Sequence, residues 1–90
     1  MNLNVFIKRN PSAVVNRIKN NLYILLAKEQ RFIILNNTAE TIWRYLWKRR
    51  KIEEIVHYYT KKYPLIKSAK EDCWQLINKG LQSKLFIVVS

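Results

Sequence analysis

The stretch FIILNNTAETIWRYL, residues 32 to 46, changes its apolar period halfway along, and this change constrains the fold more than any other feature. Its first four residues are aromatic, β-branched or aliphatic and suit a β-strand. From residue 38 onward the apolar residues lie at helical spacing on one face: Ala39, Ile42, Trp43 and Leu46. A strand is therefore predicted to run almost directly into a helix.

Two further β-prone runs precede this junction. AVVNRIK and LYILLAK flank Asn20-Asn21, a pair that tolerates the positive φ angles of a tight hairpin turn. A second short turn at Glu29 and Gln30 separates LYILLAK from RFIILN. The three runs predict a three-stranded antiparallel meander over about Val14 to Leu35. The segment NVFIKRNPS before it predicts an extended arm or a short accessory strand, and its role stays open.

Helical patterns follow the meander. The first helix is predicted over about Thr38 to Lys48, with Asn36 or Asn37 as its cap and Glu40 in a capping-box-like position. The second helix is predicted over about residues 52 to 63, and Pro64 ends it. The loop WKRRK, residues 47 to 51, joins the two helices.

The third helix is predicted to begin at Ser68, because Ser68 and Glu71 match the S-x-x-E capping box. Its inward stripe is Ala69, Cys73, Leu76, Ile77 and Gly80. At about 100° per residue, one flank of this stripe carries Lys70, Trp74, Ile77 and Leu81, with Lys67 and Asn78 beyond them. Trp74 at the border of the core predicts either a cover for that core or the wall of a groove. The ending LFIVV predicts one more short strand.

Composition limits the classes of protein to which the chain can belong. Its 90 residues suit one domain, residues 1–90, and its formal charge of +11 attracts an anionic partner such as nucleic acid, anionic lipid or an acidic peptide. The single cysteine excludes an internal disulfide. Without a signal-like or membrane-spanning apolar run, we expect a cytoplasmic protein.

Residues that would indicate catalysis are few. Glu53, Glu54 and His57 share a helix, but His57 is the only histidine, so a di-metal site lacks its second half. Cys73 falls on the inward stripe, where an inert buried thiol is expected. The single glycine, Gly80, excludes glycine-rich phosphate loops. We therefore expect no enzyme, no metal site and no cofactor.

The residues of several segments resemble the PqqD family, also called RiPP recognition elements, across nearly the whole chain. The most specific match is the pattern Leu35-Asn36-x-Thr38-Ala39-x-x-Ile42-Trp43. The segments FIKRNPSAVVNRI, LYILLA, KIEEIVHYYTKKYP and LINKGL add to it. The loop WKRRK departs from the family, which usually has a glycine there. The resemblance implies an α+β, winged helix-turn-helix-like fold and a stand-alone protein that binds the leader segments of ribosomally made, post-translationally modified peptides.

By this resemblance the leader peptide adds as a strand to the free edge of the meander and lies against the third helix. The predicted contact residues on the strand are Arg31, Phe32, Ile33, Ile34 and Leu35. Those on the helix and before it are Lys67, Lys70, Trp74, Ile77, Asn78 and Leu81. The charge predicts an acidic leader held in part by Lys67 and Lys70, and the resemblance implies a modifying enzyme such as a radical SAM maturase or a leader peptidase as second partner.

Other functions compete with this one. The charge and the winged-helix-like order of elements also suit a nucleic-acid-binding protein, whose affinity would fall steeply with salt. A generic adaptor could use the same strand edge for a different protein. An unpaired edge also predicts a homodimer, formed through strands or by exchange of the N-terminal hairpin.

Overall fold

A computed structural model of the chain describes residues 2–89, so both ends of the predicted 1–90 domain lie just outside it. The strands are β1 Phe6–Arg9, β2 Val14–Ile18, β3 Asn21–Leu26, β4 Arg31–Leu35, β5 Arg50–Lys51 and β6 Phe86–Val89. The helices are α1 Asn37–Tyr45, α2 Ile52–Lys62 and α3 Ala69–Gln82. The predicted α+β class, with its meander, three helices and C-terminal strand, is confirmed.

The meander is an antiparallel sheet in the order β2-β3-β4. Ile18 pairs with Asn21, so the turn residues are Lys19 and Asn20, one position earlier than predicted. Lys19 rather than an asparagine takes the positive φ of 58°. A shift of register by one residue would move Leu22 and Ile24 from the core to the opposite face, so the core fixes this register against the preference of the turn residues.

The second sheet has the order β5-β1-β6, and it resolves the open role of the N-terminal segment. β1 is its central strand and pairs with β6 along four residues. On its other side, Phe6 pairs with Lys51 and Ile7 pairs with Arg50. The stretch WKRRK is therefore only partly a loop, because its last two residues form β5.

The caps of α1 and α3 differ from the capping boxes predicted for them. The side chain of Asn36 accepts the N–H of Ala39 at 2.9 Å, as an N-cap does. Glu40 instead accepts a hydrogen bond from Arg17 at 2.8 Å, which ties β2 to α1, and forms an ion pair with Arg44 of the same helix at 2.9 Å. A carboxylate offered two guanidinium partners is satisfied better there than by a backbone N–H.

The capping box predicted at Ser68 is wrong. Its backbone, with φ −90° and ψ 12°, lacks the extended conformation that an N-cap needs, and its side chain caps no backbone N–H. Its hydroxyl donates to Asp72 Oδ2 at 3.0 Å instead. Within residues 2–89, no hydrogen bond joins the Glu71 side chain to the backbone N–H of Ser68.

The core lies between the two sheets and the three helices. Its fully buried side chains are Ile7, Ile24, Leu26, Ile42, Leu46, Ile55, Cys73 and Ile77. Gly80 allows α3 to pack closely against β6, because a Cβ atom at this position would overlap the ring of Phe86. A glycine there lets α3 approach β6 closely, and together with the buried Ala69, Cys73 and Ile77 it sets the rotation of α3 about its axis. Within residues 2–89, no helix combines the length and apolar character that crossing a membrane requires.

Candidate functional site

The strand β4 has one free edge, as the sequence predicts. It pairs with β3 on one side, from Leu22 opposite Leu35 to Leu26 opposite Arg31. Within residues 2–89, no strand pairs with its other side. The outward-pointing N–H and C=O groups of β4 are therefore available to another strand.

The two faces of β4 are both apolar but differ in burial. Leu35 is buried and Ile33 is half-buried, and both lie on the face that packs against the core. Phe32 and Ile34 lie on the opposite face and are 62% and 56% exposed. The predicted strand residues therefore divide into a pair that supports the edge from within and a pair that faces solvent, while Arg31 is exposed at the start of the strand.

A groove of about 250 Å³ separates β4 from α3. Its strand side is formed by Ile33, Ile34 and Leu35, and its helix side by Leu76, Lys79, Gly80 and Ser83. A neighbouring cavity of about 220 Å³ shares Leu76 and Lys79 with this groove and extends toward Asp72 and Tyr59. The two cavities lie side by side along one flank of α3 and are together called here the β4 groove, although only the first of them is lined by residues of β4.

The dimensions of the β4 groove suit an extended peptide. Opposite β4, the groove is bordered by residues 76–83, over which α3 and its C-cap rise about 11 Å, at 1.5 Å per residue. The five residues of β4 span about 17 Å, at 3.3–3.4 Å per residue. A strand paired along β4 would therefore have about three of its residues beside α3.

The structure corrects the predicted residues of the third helix. Ile77 has no exposed surface and points into the core, so it lines no groove. Lys67, Lys70, Trp74 and Asn78 line a separate cavity of about 540 Å³ on the other flank of α3. Leu81 is half-buried and packs against the core. The structure therefore brings together the predicted strand residues but places the predicted helix residues away from them.

The helix residues that do border β4 are Leu76, Lys79, Gly80 and Ser83. The helical periodicity assigns Leu76 and Gly80 to the inward stripe, but it gives no sign that this side of the stripe lies beside β4. An amphipathic helix has two flanks, and periodicity alone does not say which flank meets the edge of a sheet. In the folded chain the flank with Leu76 and Lys79 is the one beside β4, while Gly80 packs closely against Phe86 of β6.

The environment of Trp74 combines apolar packing of the ring with a buried N–H group that lacks an acceptor. Its ring is half-buried against the core, and its indole Nε1 is buried without a hydrogen-bond partner within residues 2–89. A buried N–H that lacks an acceptor costs about 1–3 kcal/mol. The apolar packing of the ring against the core must outweigh this cost, so Trp74 covers the core on the flank of α3 that faces away from β4.

A cationic and aromatic cluster occupies the segment between α1 and α2, residues 47–51, called here the basic loop. Trp47 is 68% exposed. The guanidinium of Arg50 lies 4.0 Å from the ring centre of Tyr45 and 5.5 Å from that of Trp47. Tyr45 in turn stacks on Tyr58 with 4.0 Å between ring centres. These stacked contacts hold the basic loop against α1 and α2, with Lys48 and Arg49 exposed and Arg50 half-buried.

The residues considered for catalysis are not arranged as a reactive site. Burial raises the pKa of the Cys73 thiol to about 12, so the thiol is protonated at neutral pH and is not a nucleophile. His57, Glu53 and Glu54 are exposed on α2. Across residues 2–89, no three His, Cys, Asp or Glu side chains lie close enough together to hold a metal ion.

Comparison with known proteins gives no match: no family model, no curated protein and no solved structure matches the chain. The resemblance to the PqqD family therefore stays a prediction from the motifs quoted above. The function proposed below is inferred from those motifs and from the geometry of the β4 groove.

Proposed function

We propose that this protein binds the leader segment of a ribosomally synthesised precursor peptide by β-strand addition to β4 and presents it to a modifying enzyme. The observation that carries the proposal is the free edge of β4 beside the apolar flank of α3. Membership of the PqqD family and a winged helix-turn-helix-like arrangement are part of the same proposal. The motif LNNTAETIW supports both, since it forms the junction between β4 and α1.

Strand addition uses each part of the β4 groove. The backbone of the leader pairs with the outward N–H and C=O groups of β4, which supplies affinity without regard to side chains. Alternate leader side chains then point into the groove against Ile33 and Leu76. The apolar lining of the groove therefore favours a leader with aliphatic or aromatic residues at every second position.

The charge of the protein favours an acidic leader. Arg31 and Lys79 are exposed, the first at the start of β4 and the second on the helix wall of the groove. They take the place of Lys67 and Lys70, which the sequence predicts as leader contacts and which lie on the other flank of α3. A net charge of +11 increases the rate at which an acidic peptide is captured.

The protein performs no chemistry of its own in this proposal. It acts in the cytoplasm and holds the leader while the core of the precursor reaches the active site of a partner enzyme. The family resemblance implies that this partner enzyme is a radical SAM maturase or a leader peptidase. A short reading frame with an acidic leader beside a maturase gene would identify both partners.

The test is a titration of isotope-labelled protein with a synthetic peptide that matches the leader encoded by the neighbouring precursor gene. We expect chemical shift changes in residues 31–35 and in residues 72–83 on the Leu76 side of α3. Changes confined to the basic loop and α2 would refute the β4 groove as the binding site. Proline at Ile33 and, separately, at Ile34 sharpens the test, because only the residue with an outward N–H should lose leader binding while the sheet stays intact.

Nucleic-acid binding is the second candidate, and the basic loop is the observation that favours it. Trp47 is exposed among the four consecutive cations of residues 48–51, which suits stacking on a base beside phosphate contacts. The two functions differ in their response to salt. Nucleic-acid affinity should fall by orders of magnitude between 50 and 200 mM salt, on the order of 10³-fold for several phosphate contacts. Affinity for a leader held by backbone hydrogen bonds should fall much less.

A further inference from the structure

The outward face of the β2-β3-β4 sheet is apolar and uncovered. Cross-strand pairs place Val14, Leu25 and Phe32 in one row across the three strands, since directly opposed residues share a face. They are 58%, 43% and 62% exposed. The next row contains Asn16, Tyr23 and Ile34. Tyr23 and Phe32 join the rows, with 5.4 Å between ring centres. These two rows are called here the open face.

No charged residue lies on the open face, although the chain carries 17 lysine and arginine residues. The opposite face of the same sheet does carry cations, Arg17 on β2 and Arg31 on β4. An antiparallel sheet with one solvated face normally places polar side chains on that face. The absence of charge from the open face is therefore informative in a protein this basic.

We propose that the open face is an interface between two copies of this chain, which stack their β2-β3-β4 sheets face to face about a twofold axis. A twofold interface brings the same patch of each copy together, so cations on the patch would meet cations. With a net charge of +11 on each copy, such an interface is favoured where the surface carries no cation, because the repulsion between the two copies is smallest there. The open face meets this condition. A different protein with an acidic surface would instead bind where this chain exposes its lysine and arginine side chains.

The size of the open face predicts a weak and reversible dimer. Three strands about 4.8 Å apart and about 17 Å long give a small footprint. A standard stable interface buries about 800 Å² per partner, which is more than this face offers. Dimers should therefore form at protein concentrations of about 0.1 mM and above and dissociate on dilution.

This dimer differs from one formed by strand pairing, because it leaves the free edge of β4 unpaired. Leu25 separates the two arrangements. It lies on β3, whose two edges are both paired within the chain, so its side chain can take part in stacking but not in edge pairing. The inference does not depend on the proposed leader binding.

The experiment is sedimentation equilibrium of the full chain, from about 0.01 to 1 mM. We expect the average mass to rise toward that of a dimer, and to rise further in higher salt because the repulsion between the two copies is screened. Leu25→Lys and Val14→Lys should each raise the dissociation constant at least about tenfold, since each places a cation opposite its counterpart.

Val88→Lys on β6 is the matched control, because Val88 is 59% exposed and Val14 is 58% exposed. It should leave the dissociation constant unchanged. Circular dichroism and thermal melting of all three variants exclude unfolding as the cause, and Val14→Lys replaces Leu25→Lys if the latter does not fold. A chain that is monomeric at 1 mM, or a dimer that persists in Leu25→Lys and Val14→Lys, would overturn the proposal.

Discussion

The two flanks of α3 look alike in the sequence and differ in the structure. One flank carries Leu76, Lys79 and Ser83 and faces β4 across an apolar groove. The other flank carries Lys70, Trp74 and Asn78, which with Lys67 line a larger cavity. None of the strands described within residues 2–89 contributes a lining residue to that cavity. Only the first flank combines apolar side chains with unpaired backbone groups.

This difference shows that an aromatic residue at the border of a core does not by itself mark a binding site. Trp74 is the most conspicuous side chain on α3, yet it lies on the flank away from β4. Leu76 is an ordinary helix residue, yet it forms a wall of the β4 groove. The position relative to the free edge decides the role, because strand addition requires backbone partners.

The largest effect that we expect in a test of this contrast is the loss of stability when the side chain of Trp74 is truncated. We expect Trp74→Ala to lower the free energy of unfolding by about 3 kcal/mol, since a large half-buried ring leaves the core. Leader affinity, measured by calorimetry, should stay within twofold of wild type. Trp74→Phe is the control and should retain most of the stability, because it keeps a ring and removes the unpaired N–H. Loss of leader affinity without loss of stability in Trp74→Ala would reverse the assignment of the two flanks.

A substitution at Gly80 tests how much the close packing of α3 against β6 contributes to stability. Gly80→Ala should lower the free energy of unfolding by about 2 kcal/mol, because the added methyl group overlaps the buried ring of Phe86. Alanine has the better helix propensity, by about 1 kcal/mol, so a net loss can come only from packing. Urea unfolding measures it, with Asn78→Ala at an exposed position of α3 as the control. An unchanged or raised stability would mean that the contact with β6 does not seat the helix.

Leu76 tests the wall of the β4 groove directly. We expect Leu76→Ala to weaken leader binding by about 1.4 kcal/mol, or tenfold, as for a contact near the centre of an interface. Leu81→Ala on the other flank should lower stability while leaving the affinity unchanged. Calorimetry and thermal melting of both variants separate binding from folding. Equal losses of affinity in the two variants would remove the distinction between the flanks.

The smallest effect is electrostatic. Lys79→Glu should slow association of an acidic leader about threefold at low salt and reduce the salt dependence of that rate, because exposed charges act mainly on encounter. Lys70→Glu changes the net charge equally from the other flank and should have a smaller effect. Stopped-flow fluorescence at several salt concentrations gives both rates. Identical responses would show that only the net charge matters and that the flank does not.

The order of elements and most of the core could be predicted from the sequence. The β-prone run LYILLAK predicts a strand, and β3 over Asn21–Leu26 confirms it. The end of the second helix before Pro64 is confirmed as well, because proline cannot continue a helix. These features depend on neighbours within a few residues, which a local pattern contains.

Other features depend on partners that are distant along the chain. Glu40 pairs with Arg17, 23 residues away, rather than completing a local cap. β1 is the central strand of a sheet whose other strands begin at residues 50 and 86. In each case a contact with a distant residue is more favourable than the local one. The distant partner cannot be read from a local sequence pattern, because only folding brings the two residues together.

The sequence by itself determined that the chain carries a β4 strand apolar on both faces and followed at once by a helix, because side-chain period is a local property of the backbone. Which flank of α3 lies beside the free edge of that strand was decided only by the tertiary structure. Periodicity places the apolar stripe on α3 without saying which element packs against either side of it, and the close contact of Gly80 with Phe86 of β6 depends on residues that the folded chain brings together.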